Sequence, residues 1–184
     1  MQTITDIDFA VLDFIHENFS CSFLDFIMPK ITALGNSGLI WIVSAALMLI
    51  FRKSRKTGVE IFAGLLTVAV TGNILLKNIV RRNRPCWIND SIQMLVSVPQ
   101  DYSFPSGHTM ASFASAVIIM HFNKPAGIAA YILAFMIAFS RLYLYVHFPT
   151  DILAGILFGT AIGYTIKHIR RNVKNIDVSM NNML

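Results

Sequence analysis

The chain has 184 residues, of which 55% are hydrophobic and only 14% charged, and its formal net charge is +5. A single small core cannot hide that much apolar surface, so the composition argues against an ordinary soluble domain and for a bilayer. The surplus Lys and Arg residues sit near the ends of apolar runs, without the aromatic interleaving of a nucleic-acid groove, and no nucleic-acid partner is expected.

Residues 1–18 place Ile4, Ile7, Val11 and Phe14 or Ile15 at helical spacing. That period predicts an amphipathic helix lying along the membrane or on a bundle. The first 29 residues contain no Lys or Arg and include Asp6, Asp8, Asp13, Glu17 and Asp25, a pattern unlike a secretory leader.

Charge-free runs follow at 31–51, 61–76, 109–123, 125–140 and 152–166. A spanning helix needs about 20 mostly apolar residues, and the shorter runs approach that length through flanks whose lone charge, such as Lys77 or Arg141, lies near an end. Within the first run, Gly35-Asn36-Ser37-Gly38 reads as a turn between spans at 19–34 and 39–51. Further spans are expected at 57–77, 106–122, 125–143 and 149–168. The result is an all-α, single-domain integral-membrane bundle of six transmembrane helices, with a flexible tail at 175–184.

Arg52, Lys53, Arg55 and Lys56 form one basic loop, and Lys167, Arg170, Arg171 and Lys174 form a basic tail. The positive-inside rule places both in the cytoplasm, together with both termini. Segments 78–105 and 142–148 then share the extracytoplasmic face. Cys21 and Cys86 fall on opposite sides, so no disulfide is expected between them. Trp41, Trp87, Tyr143 and Tyr145 read as interfacial aromatics, Arg81 and Arg82 as interface anchors, and His121 and His168 as structural residues at cytoplasmic helix ends. No pattern specifies an oligomeric state.

Three polar clusters converge on the outer face under a topology argued from other residues. They are Lys77 to Pro85, Pro105-Ser106-Gly107-His108, and Ser140-Arg141 followed by His147 and Asp151. Lys77, Arg84 and Arg141 concentrate positive charge, and the planar arginine fork suits phosphate oxygens. Ser106 caps a helix start, and Gly107 lets backbone N–H groups approach a bound phosphate. His108, in the first turn, is placed to protonate a leaving oxygen. Asp151 lies four residues after His147, with Pro149 starting a helix between them, so its carboxylate can reach back and fix the imidazole tautomer. The other ring nitrogen is then free to attack phosphorus. Three nearby cations disfavour a metal at this site, and a membrane anion-binding or transport protein is the competing reading.

Taken together, the clusters resemble the type-2 phosphatidic acid phosphatase superfamily, whose signature is K-x6-R-P, then P-S-G-H, then S-R-x5-H-x3-D. Every signature position is filled here between Lys77 and Asp151. The resemblance implies a six-helix membrane bundle that needs no metal and no cofactor. It implies phosphate binding by Lys77, Arg84, Ser106, Gly107 and Arg141, a nucleophilic His147 partnered by Asp151, and His108 as the acid. The superfamily also includes soluble vanadium-dependent haloperoxidases, and the apolar spans argue against that branch. The implied substrate is a lipid phosphate drawn from the surrounding membrane lipids: undecaprenyl diphosphate first, then phosphatidylglycerol phosphate or phosphatidate. The segment from Cys86 to Asp101 is long enough to cover the pocket and help select the lipid.

Overall fold

In the computed structural model, which describes residues 2–181 and the side chains of residues 3–173, helix follows helix. The elements are α1 (Gln2–Phe19), α2 (Ser22–Leu34), α3 (Leu39–Ile50), α4 (Arg55–Val68), α5 (Lys77–Val80), α6 (Pro85–Ile88), α7 (Gly107–Phe122), α8 (Lys124–Tyr143) and α9 (Pro149–Asn181). A π-helical stretch, Ala69–Leu76, joins α4 to α5. The Gly35–Gly38 cluster breaks the helix, with Ser37 and Gly38 both at positive φ (51° and 73°), but it bends the chain by 46° instead of reversing it as a turn between two spans would. Asn123 caps α8 by accepting a hydrogen bond from the Ala126 N–H at 2.9 Å, and Pro125 follows in the first turn.

Helix α7 is the centre of the bundle. Residues 109–119 are all buried, and α8, α9 and α4 pack around them. The α7–α9 contact is close because Gly155, Gly159 and Gly163 line one face of α9. A Cβ at Gly159 would stand 2.4 Å from the Met110 carbonyl oxygen. Small residues at this spacing let membrane helices approach backbone to backbone.

Outward faces carry large apolar side chains, among them Leu66, Ile128, Ile132, Phe135, Leu153 and Leu157. Three segments are long and apolar enough to cross a bilayer: Arg55–Ile88, Lys124–Tyr143 and Pro149–Val173. Helices α2 and α3, bent by 46° at their junction, supply a fourth apolar stretch if taken as one. The protein is thus an all-helical membrane protein.

Several local readings change. Trp41 is not interfacial: it is 2% exposed and its indole N–H donates to Ser112 Oγ at 3.0 Å. Tyr143 and Tyr145 are likewise buried, and their hydroxyls donate to Asp25 (2.6 Å) and Asp13 (2.7 Å). Each polar tip finds its partner inside the protein instead of in the lipid headgroups. Helix α1 lies on the bundle with Asp8, Leu12 and Ile15 buried, while Ile4, Ile7, Val11 and Phe14 face outward. The orientation follows from satisfied acids, since Asp8 and Asp13 have partners within the protein. At the other end, α9 remains helical through Asn181, beyond the start of the tail expected at 175; residues 182–184 lie outside the described residues.

Candidate active site

The three polar clusters meet at one end of the bundle, around a cavity of about 760 Å³. Lys77 opens α5 directly after the π-helical stretch, Arg84 precedes α6 in extended backbone, and Arg141 lies in the last turn of α8. All three line the cavity. Arg84 is held on every side: Nη1 donates to the Val146 carbonyl (2.7 Å), Nε to the Asp101 carbonyl (2.7 Å), and Nη2 to Asp101 Oδ1 (2.7 Å). Lys77 pairs with the other Asp101 oxygen. Burial alone would raise the Asp101 pKa, but the hydrogen bonds and charges of Lys77 and Arg84 outweigh it and hold the carboxyl at about 2. Arg141 donates to Thr32 Oγ1 at 2.6 Å, and its buried Nε has no hydrogen-bond partner among the described residues.

His147 lies in the loop between α8 and α9, 1% exposed. Its Nε2 stands 3.1 Å from Arg84 Nη1. On the opposite side of the ring, Nδ1 is 3.3 Å from Ser103 Oγ and 3.5 Å from Asp151 Oδ2. Ser103 Oγ donates to that same Asp151 oxygen, which also accepts the Phe148 N–H at 2.9 Å. Asp151 therefore reaches back to His147 as its spacing predicts, and Ser103 bridges the longer gap. Burial, then the charges of Arg84, Arg141 and Lys77, hold the His147 pKa well below the ordinary imidazole value. A proton on Nδ1 faces Ser103 and Asp151, leaving the Nε2 lone pair toward Arg84.

The start of α7 forms the third wall. Ser106 Oγ caps the helix, accepting from the Thr109 N–H (3.5 Å) and the Thr109 hydroxyl (3.0 Å). Ser106 and Asp151, both fully buried, lie behind the surface that Gly107, His108 and His147 present to the cavity. A Cβ on Gly107 would meet Asn73 Oδ1 at 2.5 Å, so a larger residue there would have to displace the Asn73 side chain of the π-helical stretch. His108 Nε2 stands 3.0 Å from Asn36 Oδ1 in the α2–α3 turn.

The structure adds residues that the motifs pass over: Asp101 on the cations, Ser103 between His147 and Asp151, and Asn36 beside His108. It also separates two adjacent arginines. Arg81 is exposed and donates to the Asn78 carbonyl at 2.9 Å. Arg82 is no simple interface anchor, because its Nη1 donates to Asp151 Oδ1 at 2.8 Å and its Nη2 to Asp8 Oδ2 at 2.6 Å. Residues 86–101 contribute Val96, Ser97, Pro99 and Asp101 to the cavity lining. Cys21 and Cys86 are both free thiols. Among the described residues, no three of His, Cys, Asp and Glu group so as to hold a metal ion.

Buried cations, a supported histidine and a helix start facing one cavity within an all-helical membrane fold match a known family: residues 57–175 fit the PAP2 superfamily, and the chain belongs to it. Among its relatives, an undecaprenyl-diphosphatase of Sulfolobus acidocaldarius is 33% identical over 126 residues, which cover 68% of this chain and 61% of that protein. The phosphatidylglycerophosphatase B of Bacillus subtilis is 32% identical over 171 residues, covering 82% of this chain and 77% of the relative. The crystal structure of a transmembrane PAP2-type phosphatidylglycerolphosphate phosphatase from Bacillus subtilis superposes with a TM-score of 0.78 at 27% identity, over 94% of this chain and 89% of that one. LpxE of Aquifex aeolicus follows at 0.73 and 26%, over 88% and 95%.

Proposed function

We propose that the protein hydrolyses a lipid phosphate or diphosphate, with undecaprenyl diphosphate as the leading substrate, through a phosphohistidine formed on His147. The observation that carries this is the pairing of the His147 ring. One nitrogen is tied to Ser103 and Asp151, and the other faces a cavity walled by Lys77, Arg84 and Arg141.

The incoming phosphate displaces the Asp101 carboxylate from Lys77 and Arg84 and takes over their donors, with Arg141 and the Gly107 backbone completing the cradle that the Ser106 cap holds in place. His147 Nε2 attacks phosphorus, the bond from phosphorus to the lipid or lipid-phosphate oxygen breaks, and His108 protonates that oxygen. Asp151 stabilises the charged imidazole through Nδ1. Water then attacks the phosphohistidine, His108 takes up its proton, and inorganic phosphate leaves. No step calls for a metal. Three convergent cations supply the charge stabilisation that a metal would otherwise provide.

In the membrane we assign five crossings, by the bent α2–α3 pair, the α4–α5 segment, α7, α8 and α9, with the cavity and the N-terminal helix α1, which bonds Arg82 and Thr150 beside it, extracytoplasmic and the end of α9 cytoplasmic. The basic residues at 52–56 and 167–174 support this orientation. Residues 86–101 contribute to the cavity lining and select among lipids. The names of the relatives support a polyprenyl diphosphate first and phosphatidylglycerol phosphate second.

The test is phosphate release by detergent-purified protein, with a chelator present, from undecaprenyl diphosphate, phosphatidylglycerol phosphate and phosphatidate. Chelator-resistant activity in the wild type, lost in His147→Ala, is the expected result. Activity that survives His147→Ala would overturn the mechanism, and a transport role would predict that the cations matter while His147 does not.

A further inference from the structure

Resting on the assignment of His147 and Asp151 as the reacting pair, we infer that Asp8 of the N-terminal helix is a positioning residue. It acts through Arg82 and Thr150 to set the Asp151 carboxylate against His147. Asp8 lies outside the signature and outside the matched residues 57–175, yet its side chain is among the most buried acids of the chain, at 1% exposure.

Every described oxygen contact of Asp8 points toward Asp151. Oδ1 accepts the Thr150 N–H at 3.0 Å. Oδ2 accepts both the Thr150 hydroxyl (2.6 Å) and Arg82 Nη2 (2.6 Å). The far side of the same guanidinium donates from Nη1 to Asp151 Oδ1 (2.8 Å) and to Thr150 Oγ1 (2.6 Å). A planar fork is therefore stretched between two carboxylates, one on α1 and one at the start of α9. Its face rests on the Phe148 ring, 4.0 Å from the centroid, and Phe9 of α1 packs edge-on against that ring at 5.1 Å. The arginine is thereby tied to a carboxylate at each end of its guanidinium.

The chemistry explains why such a clamp is useful. Asp151 uses Oδ2 for Ser103, Phe148 N–H and His147, so Oδ1 must be held elsewhere if the carboxylate plane is not to turn. Arg82 holds it, and a lone guanidinium at that spot would also drain negative charge from the carboxylate that supports the histidine. Asp8 balances that charge, so Asp151 keeps its field for His147 while its orientation stays fixed. In this way α1 becomes a working part of a site whose phosphate ligands all lie elsewhere.

The test compares Asp8→Asn and Arg82→Lys with wild type in three measurements: kcat, the inhibition constant of inorganic phosphate, and the rate in the Asp151→Ala background. Asn keeps the shape of Asp8 without its charge, and Lys keeps the charge of Arg82 without a fork to bridge two carboxylates. Each substitution is expected to lower kcat on the order of 10- to 100-fold, the range known for outer partners that orient a metal-bound histidine. Phosphate inhibition should stay within about twofold, because Lys77, Arg84 and Arg141 are untouched. In the Asp151→Ala background neither change should slow the enzyme further, since the clamp has nothing left to hold. A merely structural role predicts weaker phosphate binding and additive losses, and either outcome would overturn the inference, as would a normal kcat in both variants. The parent reading is judged separately by His147→Ala, so a normal rate in Asp8→Asn removes the positioning role alone.

Discussion

Lys77 and Arg84 are buried, with side-chain exposures of 7% and 2%, while the Asp101 carboxylate they share is 55% exposed. The opposite end of the bundle, about 27 Å further along α9 at 1.5 Å per residue, reverses the pattern. There Glu60 is buried at 6%, and its partners Lys167 and Arg170 are 19% and 40% exposed. A buried charge is fixed by the cost of moving it, whereas its exposed partner can be exchanged for water or another ion. The first arrangement keeps cations and exchanges the anion, as a receptor for phosphate must. The second keeps an acid and ties α9 to α4, as a clasp.

If that contrast holds, Arg84→Ala should have the largest effect, because it strips His147 and Asp101 of their common neighbour. The expected loss in kcat/KM is roughly 10³-fold, about 4 kcal/mol, the cost of truncating one side of a buried charged contact. A loss below tenfold in steady-state assays would break the comparison. Asp101→Asn acts in the other direction: with the exchangeable anion gone, inorganic phosphate should inhibit more tightly, on the order of fivefold for a half-exposed pair. Weaker inhibition would mean that Asp101 orders Arg84 instead of occupying its place. The depressed pKa of His147 sharpens the picture at low pH. The ring stays neutral as pH falls through the ordinary value of 6.5, so the acid limb of kcat/KM should lie below that pH. The unfolded chain binds that proton and the folded protein does not, so stability should decline as pH drops below 6.5. Melting curves between neutral and mildly acidic pH check this sign. Glu60→Gln, the smallest change, should lower Tm by about 2–4 °C, for roughly 1 kcal/mol in a chain of this size, while phosphate release per folded molecule remains at wild-type level.

Much of this organisation is legible from residue order alone. Punctuation by proline, glycine and asparagine marks the helix ends, so segments read at 106–122 and 125–143 reappear as Gly107–Phe122 and Lys124–Tyr143. The signature residues converge because charge at the end of an apolar helix has few places to go. What stays hidden lacks such a signal. Asp101 and Ser103 lie in irregular backbone, where no period tells inward from outward. Arg81 and Arg82 are identical in type, and only the turn at Arg81, with φ of 50°, sends one to solvent and the other to Asp151. Trp41 shows the same limit from the opposite side, since an apolar run cannot say which of its faces meets Ser112.

The glycine row on α9 reaches beyond packing. Gly155, Gly159 and Gly163 recur every four residues against α7, while Leu153 and Leu157 on the same helix point away from the bundle. Substitution along this helix is therefore governed by two unlike filters, volume on the inner row and polarity on the outer one. The inner row also acts as a rotational index: a helix seated this closely cannot turn about its own axis, and Asp151 lies in its first turn. The direction in which that carboxylate points is set partly by three absent side chains as far as 12 residues away.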